Sequence, residues 1–272
     1  DWGGTHDTDE AIHNGLDLEF GTHTNGLSSG ARNAYDNYYL AFPYLEKIRS
    51  GEVGTEELDD KVRRILRLAF RTVMDTGRPL GSMLSEAHYA AARKIGNEGI
   101  VLLKNADRCL PIRPEKGERI LVVGENAVKM MTVGGGSSSL KVQHEISPLQ
   151  GIREAFGQTV KVDYVRGYVG DISNTFDGVA SGQDLRDNRS AGELLQEAVQ
   201  EAAKSDYVIF VGGLNKSPHQ DCEDSDREGL GLPYGQDRLI EALADVSKHL
   251  TVVNISGNAV AMPWIDKVPA VI

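Results

Sequence analysis

The chain has 272 residues, 40% of them hydrophobic, and sets 29 Lys and Arg against 40 Asp and Glu for a formal net charge of -11. That length admits one large domain or two smaller ones, and the apolar fraction is enough to bury a core, which excludes a disordered tail. An acidic balance without Lys/Arg clusters excludes the basic footprint that nucleic acid or an anionic membrane requires, and no apolar run is long enough to span a bilayer. A neutral ligand such as a sugar suits this surface.

Asp1 to about Asn33 is rich in Gly, His and Asp with little periodicity, and reads as loops at the rim of an active site. Ala34 to about Thr76 is helical. Within it Leu58, Val62, Ile65, Leu66, Ala69 and Val73 recur at helical spacing with charges between them, predicting an amphipathic helix. Thr55 is placed to cap it, Glu56 and Glu57 complement the helix dipole in the first turn, and Gly77 and Pro79 stop it. Residues 77–84 read as a linker.

From Ser85 onward helix and strand alternate. Ser85–Lys94 is a helix candidate and Gly99–Leu103 a short apolar run ending at Lys104-Asn105. Arg119–Gly124 and Tyr207–Gly212 are β-branched runs that close on Gly, as buried parallel strands do, and Leu250–Ser256 is another. Between them lie amphipathic helices: Ala191–Lys204, opened by a capping box of Ser190 with Glu193, and Gln236–Val246. This alternation predicts a doubly wound α/β layer with a mainly parallel sheet. Gly170 to Asn188 is polar and Gly-rich and reads as a long surface loop. Cys109 and Cys222 lie far apart and read as two small apolar residues, with pairing the alternative. Asp1 is not Met, the first Met is Met74, and Val268–Ile272 reads as a buried strand at the very end, so the expectation is an excerpt of a longer chain.

Several segments invite readings that their details exclude. Gly134-Gly-Gly-Ser-Ser-Ser139 lacks the Lys-Ser/Thr ending of a phosphate cradle, and its glycines do not fit a dinucleotide fingerprint. Asp221-Cys-Glu-Asp-Ser-Asp226 has the carboxylate density of a calcium loop, but no Gly at the sixth position and Leu232 where the bidentate Glu belongs. His6, His13 and His23 lack zinc-ligand spacing. No metal and no other cofactor is called for. The segment His219–Arg227 differs from these, because it follows the C-terminal end of a predicted buried strand, where ligands gather in open α/β sheets.

Asp1-Trp-Gly-Gly-Thr-His6, followed by Asn14-Gly-Leu-Asp-Leu-Glu19, resembles the nucleophile region of glycoside hydrolase family 3. Leu58–Leu66 is similar to that family's final barrel helix. Gly99–Asn105 with Leu110-Pro111 is similar to the approach to its second domain. Glu223-Asp-Ser-Asp-Arg227 matches the pattern Glu-x-x-Asp-Arg, and Leu232–Gln236 and Met262-Pro-Trp264 resemble further framework of that domain.

The resemblance implies an α/β protein in two parts: the C-terminal remnant of a (β/α)8 barrel over residues 1–80, then an incomplete α/β sandwich over residues 81–272. It implies a retaining, exo-acting β-glycosidase, a β-glucosidase before a β-xylosidase, acting on oligosaccharides or β-glycosides. Asp1 would be the nucleophile and Glu223 the acid/base, with Asp221, Asp224 and Asp226 crowding Glu223. Trp2 would offer an aromatic face to the sugar, core packing being its other reading. A periplasmic or secreted setting follows from the resemblance, and residues 1–272 alone are expected to be inactive because a barrel closes only when all its strands pair. The rivals are a non-catalytic sugar-binding relative, disfavoured because both carboxylates are present, and a single-domain N-acetylglucosaminidase, disfavoured by the long second domain.

Overall fold

The computed structural model describes residues 4–20, 38–132, 142–170, 175–176, 179–180, 184–223 and 226–272. The chain divides into two units, Asp1–His88 and Tyr89–Ile272.

In the first unit, α1 (Thr8–His13) starts where the Asp7 carboxylate accepts from the Glu10 amide at 2.9 Å. This short helix interrupts the stretch expected to be loops throughout. α2 (Phe42–Ser50) ends at Gly51 in a left-handed conformation, and α3 (Glu56–Arg71) follows. The helical spacing read in this stretch is that of α3. Leu58, Val62, Leu66 and Val73 are 37%, 43%, 47% and 86% exposed, whereas Lys61 is buried. The reason is polar: the Lys61 ammonium donates to the Ala11 carbonyl at 3.0 Å, and Arg64 Nε donates to both oxygens of Asp17 at 2.8 and 3.0 Å. Thr55 makes no side-chain cap bond, because its backbone (φ -99°, ψ 0°) is not the extended form that aims a capping oxygen at the first amides.

The second unit is built on a six-stranded sheet. Its strands are β1 (Lys104–Asn105), β2 (Arg119–Val123), β3 (Lys161–Val165), β6 (Tyr207–Gly213), β7 (Leu250–Ile255) and β8 (Ala270–Val271), in the order β1-β8-β7-β6-β2-β3. All neighbours are parallel except β1 with β8. The helices α5 (Pro148–Phe156), α6 (Ala191–Ala202) and α7 (Gln236–Val246) cover it, while α4 (Glu86–Gly99) precedes it. The period-two geometry of a strand splits β2 between two cores. Ile120 and Val122 pack with Leu149 of α5, and Leu121 and Val123 with Leu239, Ile240 and Leu243 of α7. Burial on both faces is why these strands read as continuous apolar runs.

Three segments depart from expectation. α4 runs on to Gly99, and the strand after it is only Lys104–Asn105, antiparallel at the sheet edge. α5 and β3 were not foreseen. The polar stretch 170–188 contains the short pair β4 (Thr175–Phe176) and β5 (Val179–Ala180). Both cysteines are free.

Arg119, at the start of β2, ties three elements together. It pairs with Asp163 of β3, and its Nη2 donates to Glu201 of α6 at 2.6 Å. Hydrogen bonds from Lys204 and Arg119 hold Glu201 down at about 2. Burial opposes the charge on Asp163, yet Lys161 and Arg119 outweigh it and hold it below the usual carboxylate value. Both shifts are downward, so the stabilisation is present above the ordinary carboxylate pKa and fades as pH falls through the folded value. Arg119→Met is expected to lower the thermal midpoint at pH 7, and the gap from wild type should close between about pH 4.5 and pH 2. Calorimetry across that range checks it; a gap that stays constant would remove the ion pairs as its cause.

Candidate active site

Strand order decides where a site can form. Counting only the parallel strands, the chain lays β3 on one side of β2, then crosses back to lay β6, β7 and β8 on the other. Connections leaving β2 and β6 therefore diverge to opposite faces and open a crevice at the carboxyl ends of these two strands, the ligand position of open α/β sheets. A glycine in a positive-φ conformation stands at each exit: Gly124, directly after β2, at +121° and Gly213, the last residue of β6, at +101°. A Cβ on Gly124 would run into the Val211 carbonyl, and one on Gly213 into the Ile255 carbonyl. Only glycine lets the exits lie this close.

The two exits are polar and buried. After β2 come Glu125 and Asn126, both 0% exposed, and Lys129; after β6 come Asn215, Ser217 and Gln220. Asn126 Nδ2 donates to the Leu214 carbonyl at 3.0 Å, and Lys129 Nζ donates to Ser217 Oγ at 3.2 Å, stitching one exit to the other. The Glu125 carboxylate accepts from Arg166 Nη2 and from the Gly170 amide, both at 2.7 Å, with Lys129 Nζ 3.8 Å away. Burial pushes the phenols of Tyr164 and Tyr168, on and just after β3, well above the usual tyrosine value, so both stay neutral.

The long loop from Leu214 to Gly235 is closed at its base by Gln236. This fully buried side chain accepts from the Gly213 amide at 2.8 Å and donates to the Gly213 carbonyl at 2.9 Å. Inside the loop, Gln220 Oε1 accepts from the Asn215 amide at 3.0 Å while its Nε2 donates to Tyr234 Oη at 2.7 Å. Tyr234 stacks on Tyr168 with ring centroids 6.2 Å apart. Two hollows flank the loop: one of about 540 Å³ lined by Leu214, His219, Gln220 and Arg227, and one of about 580 Å³ lined by Gln220, Cys222, Asp226, Arg227 and Asn258.

Glu223 sits on a turn of this loop, exposed, between the half-buried Cys222 and the exposed Asp226. Of its expected acidic neighbours, Asp221 turns its carboxylate to the backbone amide of Gly257 and the side chain of Asn258, and Asp224 lies outside the described residues. Asp1 and Trp2 also lie outside them. Sequence reasoning missed Lys129 and Glu125, and held Gln220 and Gln236 only as members of the segments His219–Arg227 and Leu232–Gln236. The available signal was position: polar residues directly after, or packed under, a strand-terminal glycine.

The profile of the glycosyl hydrolase family 3 C-terminal domain matches residues 100–272. Beta-glucosidase BoGH3A of Bacteroides ovatus is 47% identical over 277 residues, covering 100% of this chain and 36% of that protein. Thermostable beta-glucosidase B of Acetivibrio thermocellus is 31% identical over 272 residues, covering 100% of this chain and 32% of that one. The crystal structure of the family 3 beta-glucosidase of Bifidobacterium adolescentis shares the fold at a TM-score of 0.74 and 26% identity, over 100% of this chain and 35% of its own. The chain thus spans about a third of the length of these relatives. By its matched domain and by identity along its whole length, it belongs to glycosyl hydrolase family 3.

Proposed function

We propose that the protein is a retaining, exo-acting β-glycosidase, a β-glucosidase, that removes terminal β-linked glucose from oligosaccharides or glycosides. The observation that carries this reading is the loop bearing Glu223. It leaves β6 at the crevice where the sheet order reverses, and it lies within the family 3 C-terminal match. The two relatives above are both named beta-glucosidases. In this reading residues 1–80 close a catalytic barrel and residues 81–272 form an α/β sandwich domain, and the whole enzyme works in a periplasmic or secreted setting.

Retention requires two carboxyl groups about 5–5.5 Å apart on opposite sides of the scissile bond. Asp1, ionised, attacks the anomeric carbon and forms a glycosyl ester. Glu223, protonated, gives its proton to the departing oxygen; as a carboxylate it then takes a proton from the water that cleaves the ester. Trp2 lends an aromatic face to the sugar ring. Assaying the full-length protein with aryl β-glucoside and aryl β-xyloside, with the first-formed anomer followed by NMR, checks the reading. The expected result is β-glucose released first with glucoside preferred. Release of α-glucose would overturn retention, and preference for the xyloside would replace the sugar.

A further inference from the structure

Resting on the assignment of Glu223 as acid/base, we propose that Asp221 is a positioning residue that aims Glu223 by clamping its loop to the exit of the neighbouring strand. β7 lies beside β6 and ends at Ile255, so Gly257, Asn258 and Ala259 form a shelf alongside the root of the Glu223 loop. On the upstream side of Glu223, Asp221 Oδ2 accepts from the Gly257 amide at 2.5 Å and its Oδ1 accepts from Asn258 Nδ2 at 2.8 Å. On the downstream side, Arg227 Nη2 donates to the Ala259 carbonyl at 2.8 Å. The arc carrying Glu223 therefore stands on two posts set on the same three residues.

The remaining bonds around Asp221 point to a built anchor. Its own amide donates to the Asn215 carbonyl at 3.0 Å, returning the chain to the loop's root, and the adjacent Gln220 is buried in the bridge between Asn215 and Tyr234. Gly257 allows the close approach: a Cβ there would meet the Asp221 carboxylate at 3.1–3.3 Å. Asp221 is thus an acceptor for two donors from one shelf, a different task from moving a proton. Charge-assisted bonds of this kind are the stronger class, and they fix a direction as well as a distance.

The effect to look for is loss of aim. A displacement of about 1 Å in a catalytic group costs on the order of a hundredfold. In the full-length protein, Asp221→Ala is expected to lower kcat/KM for cellobiose by about 10–100-fold, and for dinitrophenyl β-glucoside, whose leaving group needs little protonation, by less than about threefold. Asp221→Asn keeps the shape and one acceptor oxygen and should recover most of the cellobiose activity. Asn258→Ala, which removes one donor from the shelf side, should show the same selectivity with a smaller loss, and it decides the matter if Asp221→Ala does not fold. Equal losses on both substrates, no loss, or an Asn variant as impaired as the Ala variant would each overturn the clamp; the last result would make Asp221 a proton donor itself. Glu223→Ala is measured in parallel. If it shows leaving-group selectivity and Asp221→Ala does not, only the clamp falls. If Glu223→Ala shows none, the acid/base assignment falls and the clamp with it.

Discussion

Glu223→Ala in the full-length protein is expected to lower kcat/KM for cellobiose by roughly a thousandfold, the middle of the range that a positioned general acid contributes. The same variant should keep kcat/KM for dinitrophenyl β-glucoside within about tenfold of wild type, because a good leaving group departs without a proton. Its kcat on that substrate should nevertheless fall, since hydrolysis of the glycosyl ester needs the same carboxylate as base. Added azide should restore it by attacking the ester without base help and yielding β-glucosyl azide. Steady-state kinetics with both substrates, with azide titrated, checks all three parts. Equal losses without azide rescue would move the role to another carboxylate of the loop. Asp226 is then the first to test, because Asp221 is engaged by Gly257 and Asn258.

The second large effect is covalent. A 2-deoxy-2-fluoro-β-glucoside with a good leaving group should inactivate the full-length enzyme completely, with one label per chain on Asp1, because the fluorine slows both steps and the good leaving group speeds only ester formation. Peptide mass spectrometry locates the label. Recovery of the label on Asp7 or Asp9 would overturn the nucleophile assignment. Those two residues have other work: the Asp7 carboxylate caps α1, and Asp9 pairs with Lys47 at 3.0 Å. Asp1→Ala should remove essentially all turnover, by at least about a thousandfold, a loss typical of deleting a nucleophile.

What could be read from the sequence depended on how local the cause was. β2, β6 and β7 were legible because strands buried on both faces must be apolar throughout, and two of them stop at a glycine. α6 was legible because its capping box lies within four residues: Ser190 accepts from the Glu193 amide and Glu193 reaches back to the Ser190 amide. β3 was missed because it is an edge strand, Lys-Val-Asp-Tyr-Val, whose charged residues make ion pairs instead of a buried apolar run. The burial of Lys61 in α3 was not legible because the carbonyl that receives it lies 50 residues away in the chain. Glu223 was assigned through its resemblance to a family pattern. The bonds that Asp221 and Gln236 make were not legible, since their backbone partners lie 36 and 23 residues away in the chain.

Gln236 has a consequence for how such an enzyme can diversify. Because one buried amide holds both bonding groups of Gly213, the loop from Leu214 to Gly235 leaves β6 and enters α7 at a single fixed knot. Further ties of the loop end on strand exits: Leu214 on Asn126, Ser217 on Lys129, Asp221 on Gly257 and Asn258, and Arg227 on Ala259. Lengthening a flexible stretch between two such ties costs only about 0.6 kcal/mol per doubling. A segment transplanted between relatives would therefore keep its aim only where the recipient offers the same partners at those exits.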